Sequence, residues 1–473
     1  VMKFPILIPN IFNYPFTYES KLNLKIGDFV EVPFGKSKKI GVVWDYFEND
    51  NNKNYKTKKI IRKLEIPQLK KKTLDFLNWF SEYNIVPKGM ALKLSLLSGK
   101  PVAILDKKFY DEFSFKLNKN SFQLNSEQKK SLAEINDMNK KFNVHVLQGT
   151  TGSGKTIVYF EALKHILQKG YQGLIMLPEI GLTNQFEKKF FEFFGFKAAI
   201  WHSGISKKNK EIIWSGLTNG KISVVIGARS SLFLPFKNLG LIIVDEEHDQ
   251  SYKQDEGIIF NARDMAISRA SFENIPINLI TSVPSIETYE NIRKKKYTSS
   301  KLVRRYQNAS LPNYEIINLN NVKMDKQSWL SKEIIQKVNF HLNKNDQVLF
   351  FLNRRGFSPS VLCKKCFNNF PCPNCSINLV YHKNKNNLLC HYCGFKSFLK
   401  RECSKEGFCE FIFCGPGVER ISEEVKKSFP SKKIEIFSSD TMNKKSSKEK
   451  LEKIINNEIE ILVGTQLISK GFH

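Results

Sequence analysis

Asn143-Val144-His145-Val146-Leu147-Gln148-Gly149-Thr150-Thr151-Gly152-Ser153-Gly154-Lys155-Thr156 is the stretch from which the rest of the chain can be read. A short apolar run predicts a buried strand, a glycine-rich turn follows, and Ile157 to Leu163 continues as a helix. Strand, G-x-x-x-x-G-K-T loop and helix together make a P-loop. The glycines let backbone N–H groups close round an anion, and the helix N-terminus adds a favourable dipole. Gly149, Thr150, Thr151, Gly152, Ser153 and Gly154 then cradle phosphates. Lys155 is expected to reach the β- and γ-phosphates of ATP, and the Thr156 hydroxyl to ligate magnesium.

Outward from that loop, residues 123–343 alternate strand and helix, the pattern of an α/β domain with a parallel sheet. Strands are expected at 144–148, 174–177, 198–201, 223–226, 240–244 and 277–281. Leu239 to Val244 delivers Asp245-Glu246-Glu247-His248 to the carboxyl edge of the sheet, where ligands bind in such folds. Asp245 suits magnesium, and Glu246 suits a general base that positions and deprotonates water. Residues 300 to 343 carry little signature. Gln347 to Leu352 opens a second strand-and-helix unit, resumed near 411–413, 434–437 and 459–463.

Upstream, residues 1–100 read as β-rich with a helical tail. Strands are expected at Phe4 to Ile8, Phe29 to Pro33 and Ile40 to Tyr46, and a helix over 69–99 with Leu74, Leu77, Phe80 and Tyr83 as its apolar stripe. Lysines crowd the segment from Lys53 to Lys72. Residues 101–122 read as a linker, after which Asn125 or Ser126 caps a helix.

All nine cysteines fall between Cys363 and Cys414, which is metal-site clustering and not a disulfide scaffold. Cys363/Cys366, Cys372/Cys375 and Cys390/Cys393 are C-x-x-C pairs that each wrap one side of a tetrahedral ion. Two zinc ions are expected. Cys403 begins a fourth pair that either Cys409 or Glu406 completes, and Cys414, in an apolar strand, reads as a small buried residue. The formal net charge of +28 favours a polyanionic partner such as nucleic acid, although abundant lysine, asparagine and isoleucine also mark AT-rich coding. No apolar run of about 18 residues is present, so no membrane span is expected. The N-terminus lacks the features of a signal peptide, and a cytoplasmic location follows.

These motifs resemble the primosomal replication-restart helicases, the PriA family of superfamily 2. The resemblance rests on Gly149 to Thr156, Leu177-Pro178-Glu179-Ile180-Gly181-Leu182-Thr183, His202-Ser203-Gly204, Arg229 to Phe236, Asp245 to His248 with Ser251-Tyr252-Lys253-Gln254, Leu352-Asn353-Arg354-Arg355-Gly356, Gly464-Thr465-Gln466 and the cysteine pattern. It implies two RecA-like P-loop lobes, with the second at 344–362 and 410–473, interrupted by a zinc insert at 363–409. It implies a 3′-end DNA-binding domain at the N-terminus. It implies that Gln128 contacts adenine, that Arg229 lies on the DNA side, and that Tyr252, Lys253 and Phe260 couple single-strand binding to ATP hydrolysis. The activity implied is ATP-dependent 3′-to-5′ unwinding of single-stranded and forked DNA in replication restart. The implied partners are single-strand-binding protein and primosome or helicase-loading proteins at the nucleoid. Three departures stand out. Thr281-Ser282-Val283-Pro284 replaces Ser-Ala-Thr-Pro, Phe16-Thr17-Tyr18 replaces Phe-Asp-Tyr, and 101–122 leaves no room for a winged helix. The chain is also expected to stop before motif VI, leaving the second lobe incomplete and hydrolysis weak. The competing expectation is a zinc-stabilised, fork-binding scaffold with a vestigial ATPase.

Overall fold

A computed structural model describes the chain except residues 1, 48–56, 117–121, 139, 179–183, 306–311, 319–321, 323–327, 353–359, 367, 384–385, 399–401, 404–406, 409, 438–449, 451–452, 466–467 and 469–473. Two compact units divide near residue 311.

The first unit begins with a six-stranded sheet made by β1 (Met2–Leu7), β2 (Phe16–Ser20), β3 (Phe29–Phe34), β4 (Ser37–Val43), β5 (Lys58–Lys59) and β6 (Arg62–Lys63), in the order β5-β2-β1-β4-β3-β6. β2 was not expected. It carries Phe16-Thr17-Tyr18, in which Tyr18 is buried with its hydroxyl donating to the Pro33 carbonyl at 3.0 Å, while Thr17 is exposed. The helical tail is two helices and not one: α1 (Lys71–Tyr83) and α2 (Lys88–Leu94). Ile85 takes a φ of +53°, and Pro87 cannot continue α1, so the pattern breaks there. Leu74, Leu77 and Phe80 are buried as expected, but Tyr83 at the end of α1 is 65% exposed.

Residues 101–116 are strapped to the following domain and do not form a free linker. Two 3-10 turns place Tyr110 in the core with its hydroxyl 2.8 Å from Ser215 Oγ, and the amide of Phe115 donates to Ser223 Oγ at 2.8 Å.

The nucleotide lobe adds α3 (Ser126–Met138), β7 (Val144–Gly149), α4 (Lys155–Gln168), β8 (Gln172–Met176), α5 (Asn184–Phe194), β9 (Ala199–Trp201), α6 (Lys207–Thr218), β10 (Val224–Gly227), β11 (Leu239–Val244), a hairpin of β12 (Lys253–Gln254) with β13 (Phe260–Asn261), α7 (Ala262–Glu273), β14 (Ile277–Thr281), α8 (Ile286–Arg293) and β15 (Thr298–Leu302). Seven of these strands form one parallel sheet in the order β15-β7-β14-β11-β8-β10-β9. Its strands are apolar on both faces, because helices cover both. Every expected strand of the lobe is present within two residues. β15 lies in the stretch that carried no signature, because Thr298 to Leu302 alternates polar residues at the sheet edge. With β14 between them, β7 and β11 end side by side. That topology brings the P-loop and Asp245 to one edge.

In the second unit α9 (Lys332–Asn343) precedes β16 (Val348–Phe351). β16 lies in a three-stranded parallel sheet with β25 (Ile461–Gly464) and β24 (Ile434–Phe437), and α10 (Val418–Ser428) packs on β25. The cysteine segment leaves through β17 (Ser360–Cys363) and returns through β23 (Phe411–Cys414), an antiparallel pair. Between them lie a three-stranded meander, β18 (Val380–His382), β19 (Asn387–Leu389) and β20 (Lys396–Phe398), and a short ribbon of β21 (Glu402–Cys403) and β22 (Gly407–Phe408).

Candidate functional site

The P-loop is set by its glycines. Gly152 and Gly154 have φ of +80° and +81°, values that suit glycine, and Gly154 caps α4. A Cβ at Gly149 would stand 2.5 Å from Ser153 Oγ, so only glycine closes the turn. Lys155 is buried, and its ammonium donates to the carbonyls of Gly149 at 2.7 Å and Thr150 at 3.3 Å. Burial pulls its pKa below the ordinary lysine value, against the opposing pull of the Glu246 and Asp245 carboxylates. Both acids therefore lie close enough to act on Lys155 electrostatically.

Asp245 is buried and held at both oxygens. Oδ2 accepts from the fully buried Tyr159 hydroxyl at 2.9 Å, and Oδ1 accepts from the Glu246 amide at 2.9 Å. Glu246 adopts a φ of +48°, an uncommon conformation for a side-chain-bearing residue and one that marks strained turns. Beside it His248 places Nε2 3.5 Å from Glu246 Oε2 and Nδ1 2.8 Å from Thr281 Oγ1. The Thr281 hydroxyl gives its proton to the Val283 carbonyl at 2.8 Å, so His248 Nδ1 is the donor to Thr281. Glu247 faces inward, 3.2 Å from the Arg263 guanidinium, and accepts from the Ser285 amide and hydroxyl and from Thr288. It thereby pins the start of α8.

Gln128 is not free to meet adenine. It is fully buried, its Oε1 accepts from the Asn125 amide at 3.0 Å, and Asn125 Oδ1 accepts from the Gln128 amide at 2.9 Å. This is a reciprocal capping box, so Asn125 and not Ser126 caps α3. The remaining end, Nε2, donates to the Ser153 carbonyl in the P-loop at 3.0 Å. The expected adenine contact is therefore corrected to a brace on the loop. The N-x-x-Q spacing carried that signal.

The rings expected to stack on DNA are also corrected. Tyr252 is 1% exposed, and its hydroxyl donates to the carbonyls of Met176 at 2.9 Å and Asp245 at 2.7 Å. Phe260 packs edge-on against Phe80 and Phe233. An aromatic loop beside a charged strand reads as surface, but here its rings fill the core beneath it. Lys253 is exposed, and Arg229 donates to its carbonyl at 2.9 Å.

Cys372, Cys375, Cys390 and Cys393 bring four sulfurs within 4.8 Å of one another. The separations are 3.5 Å for Cys372–Cys393, 3.3 Å for Cys375–Cys390 and 3.7 Å for Cys375–Cys393. Disulfides need about 2.05 Å. Thiolates about 2.3 Å from a tetrahedral zinc stand roughly 3.8 Å apart, so this set fits zinc. The Cys393 amide, donating to Cys390 Sγ at 3.5 Å, pulls that thiol down to about 6. Cys363 is buried and packs against Cys366. Cys403 ends β21, and the alternative ligands Cys409 and Glu406 lie outside the described residues, as do Arg354-Arg355 and Gln466. For magnesium, the donors at the P-loop edge are hard oxygens, which suit that ion.

The comparisons follow this division. Residues 5–96 match a PriA 3′ DNA-binding domain model, 125–290 a DEAD/DEAH box helicase model, and 372–397 the PriA DNA helicase Cys-rich region. The replication restart protein PriA of Rickettsia conorii is 42% identical over 99% of this chain and 72% of that protein. The chain belongs to the PriA family. The PriA of Haemophilus influenzae is 31% identical over 98% of this chain and 74% of that protein, and the PriA of Bacillus subtilis is 36% identical over 69% and 41%. The first PriA model contains β2 with Thr17, and the last contains the four-sulfur cluster. Among the described residues, no helix is long and apolar enough to cross a membrane.

Proposed function

We propose that this PriA-family chain is an ATP-driven 3′-to-5′ DNA motor that recognises stalled forks and promotes primosome assembly. The observation that carries the reading is the meeting of Lys155, Asp245 and Glu246 at neighbouring strand ends, in a chain with PriA-type DNA-binding and cysteine-rich segments. Lys155 exchanges the Gly149 and Thr150 carbonyls for the β- and γ-phosphates. Thr156 and Asp245 hold magnesium, which supplies charge neutralisation for phosphoryl transfer. Glu246 orients the attacking water and accepts its proton, with His248 beside it. Arg229 and Lys253 follow DNA phosphates on the outside of the lobe. Tyr252 ties that segment to the backbone of Asp245 and so transmits DNA contact to the nucleotide without touching a base.

The domain extents follow the expected division, with the N-terminal domain reading the fork, residues 123–343 binding ATP, and the second lobe split by the zinc insert. The second zinc takes Cys363, Cys366 and Cys403 with Cys409 or Glu406. Single-strand-binding protein and loading proteins are the partners proposed, in the cytoplasm at the nucleoid. A scaffold with a vestigial ATPase is less well supported, because Thr281 supplies the hydroxyl that links His248 to the Val283 segment.

DNA-stimulated ATP hydrolysis tests the reading. Glu246→Gln should lower the rate about 10²- to 10⁴-fold while nucleotide still binds. Lys155→Ala should weaken nucleotide binding itself. Undiminished hydrolysis in both variants would sink the assignment.

A further inference from the structure

Five lysines meet at the far edge of the nucleotide lobe from the P-loop. Lys70, Lys71 and Lys72 sit at the start of α1, Lys140 precedes β7, and Lys169 follows α4. Together they line an open depression of about 730 Å³. Its floor includes Tyr171, Leu239 and Pro276, at the beginnings of β8, β11 and β14. Strands of five or six residues, at about 3.3 Å each, put that floor roughly 16–20 Å from the edge that carries Lys155 and Asp245. The depression is separate from the nucleotide site.

Its charge is largely unbalanced. Glu273 is the acid in the lining, and it is buried, 3.5 Å from Thr73 Oγ1 and 3.9 Å from the Arg269 guanidinium. Lys71 reaches Asp45 and Asp75, and Lys72 donates to the Glu273 carbonyl at 2.7 Å. Lys70, Lys140 and Lys169 are exposed, and among the described residues no carboxylate lies within ion-pair distance of them. α1 also has no acid in its first turn, so three ammonium groups crowd the positive end of its own dipole. That arrangement costs the free protein stability, and bound anions would offset it.

We propose that this depression binds the phosphate backbone of a duplex DNA arm, an inference that rests on reading the chain as a DNA motor. Lysine is a compact point charge without the planar fork that selects one phosphate geometry, and contacts of this kind hold the backbone without reading sequence. The lysines come from three separate chain segments, which suits a ligand with repeating charges. Tyr171 is the one aromatic side chain of the lining, whereas single-strand sites stack successive bases on several rings. Duplex is therefore the occupant. Lys70 to Lys72 belong to the N-terminal domain's helical tail, so the site would join fork capture to the motor lobe.

The test combines Lys70→Ala, Lys140→Ala and Lys169→Ala in the full chain, with Lys169→Glu alone as a second variant that leaves α1 untouched. Affinity for a blunt duplex, a forked DNA and an oligo(dT) strand is measured across a salt series, together with nucleotide affinity. For duplex and fork, the log–log salt slope should become shallower by about 0.9 per contact, so by up to about 2.7 in the triple variant. Affinity at 0.1 M salt should fall about 8-fold per contact. Oligo(dT) and nucleotide binding should stay unchanged. Variants that match a steeply salt-dependent wild type on duplex would overturn the site alone. A wild type that binds no DNA would overturn the proposed function with it. Tripolyphosphate that stabilises the wild type but not the variant, with duplex binding equal in both, would overturn the duplex in favour of a small anion.

Discussion

Replacing Gln128 tests how the nucleotide loop is held in shape. In Gln128→Met the side chain keeps its bulk but loses both hydrogen bonds, one to the Asn125 amide and one to the Ser153 carbonyl. Each is worth about 1 kcal/mol net, and a buried partner left unpaired raises the cost to about 1–3 kcal/mol. The Asn125 bond concerns the start of α3 and should appear as a lower melting temperature. The Ser153 bond concerns the loop. If its loss is borne by the shaped loop, nucleotide affinity falls roughly 5- to 100-fold, since 1.4 kcal/mol is a factor of ten. Gln128→Glu separates the two effects. A glutamate still accepts from Asn125, so the helix cap survives, but it sets a carboxylate against the Ser153 carbonyl. Its affinity should be as poor as that of the methionine variant, with a smaller change in melting. The assay is titration with ADP and with GDP. A brace acts on the phosphate loop, so both nucleotides should weaken by the same factor. A loss confined to ADP would refute the brace and restore the adenine contact.

Three further outcomes follow from named groups. Burial pushes the His145 imidazole from its ordinary value near 6.5 down to about 4, between Thr298 and Ser300. The unfolded chain therefore takes up the proton first, and stability falls as pH drops through that window, by about 3 kcal/mol in full. His145→Gln should flatten the dependence of melting temperature on pH between 6.5 and 4, and an equally steep profile would show that burial is not the cause. Glu247→Ala leaves Arg263 buried without its acid and frees the start of α8, so unfolding should be easier by about 3–5 kcal/mol in denaturant titration. Glu247→Gln should cost less, because it keeps an acceptor for Ser285. Chelation of metal, or Cys390→Ala, should release zinc and expose residues 372–397 to protease, with fragments read by mass spectrometry. An unchanged digest would mean that the four sulfurs are not organised by metal.

How much of this could be read from the residues depends on where each signal resides. The P-loop, the Asp245 strand and the C-x-x-C pairs depend on local geometry that glycine, apolar runs and cysteine spacing dictate, so they stand where the sequence put them. β15 was missed because an edge strand with polar faces lacks the apolar run that marked its neighbours. The break at Ile85 was missed because one apolar stripe runs through both helices, and Pro87 was the overlooked sign. Tyr252 and Phe260 were misplaced for a different reason. Whether a ring lies on a surface or beneath it is decided by long-range packing, here by Phe80 and Phe233, which no local window contains. Gln128 was legible as a capping residue through its spacing to Asn125, but its bond to Ser153 depends on tertiary approach.

The pairing of β16 with β25 bears on how the chain is made. More than a hundred residues separate Val348–Phe351 from Ile461–Gly464, and the cysteine segment lies between them. During synthesis Cys393 leaves the ribosome well before β25 exists, so the four sulfurs can capture their ion while the host sheet is still an open edge. Closing a long loop costs conformational entropy that grows with its flexible length. A metal-tied core, entered and left through the β17–β23 pair, shortens the part of that loop which remains flexible. Zinc supply during translation would then set how quickly the exposed edge of β16 is covered, and so how long the nascent chain is open to aggregation.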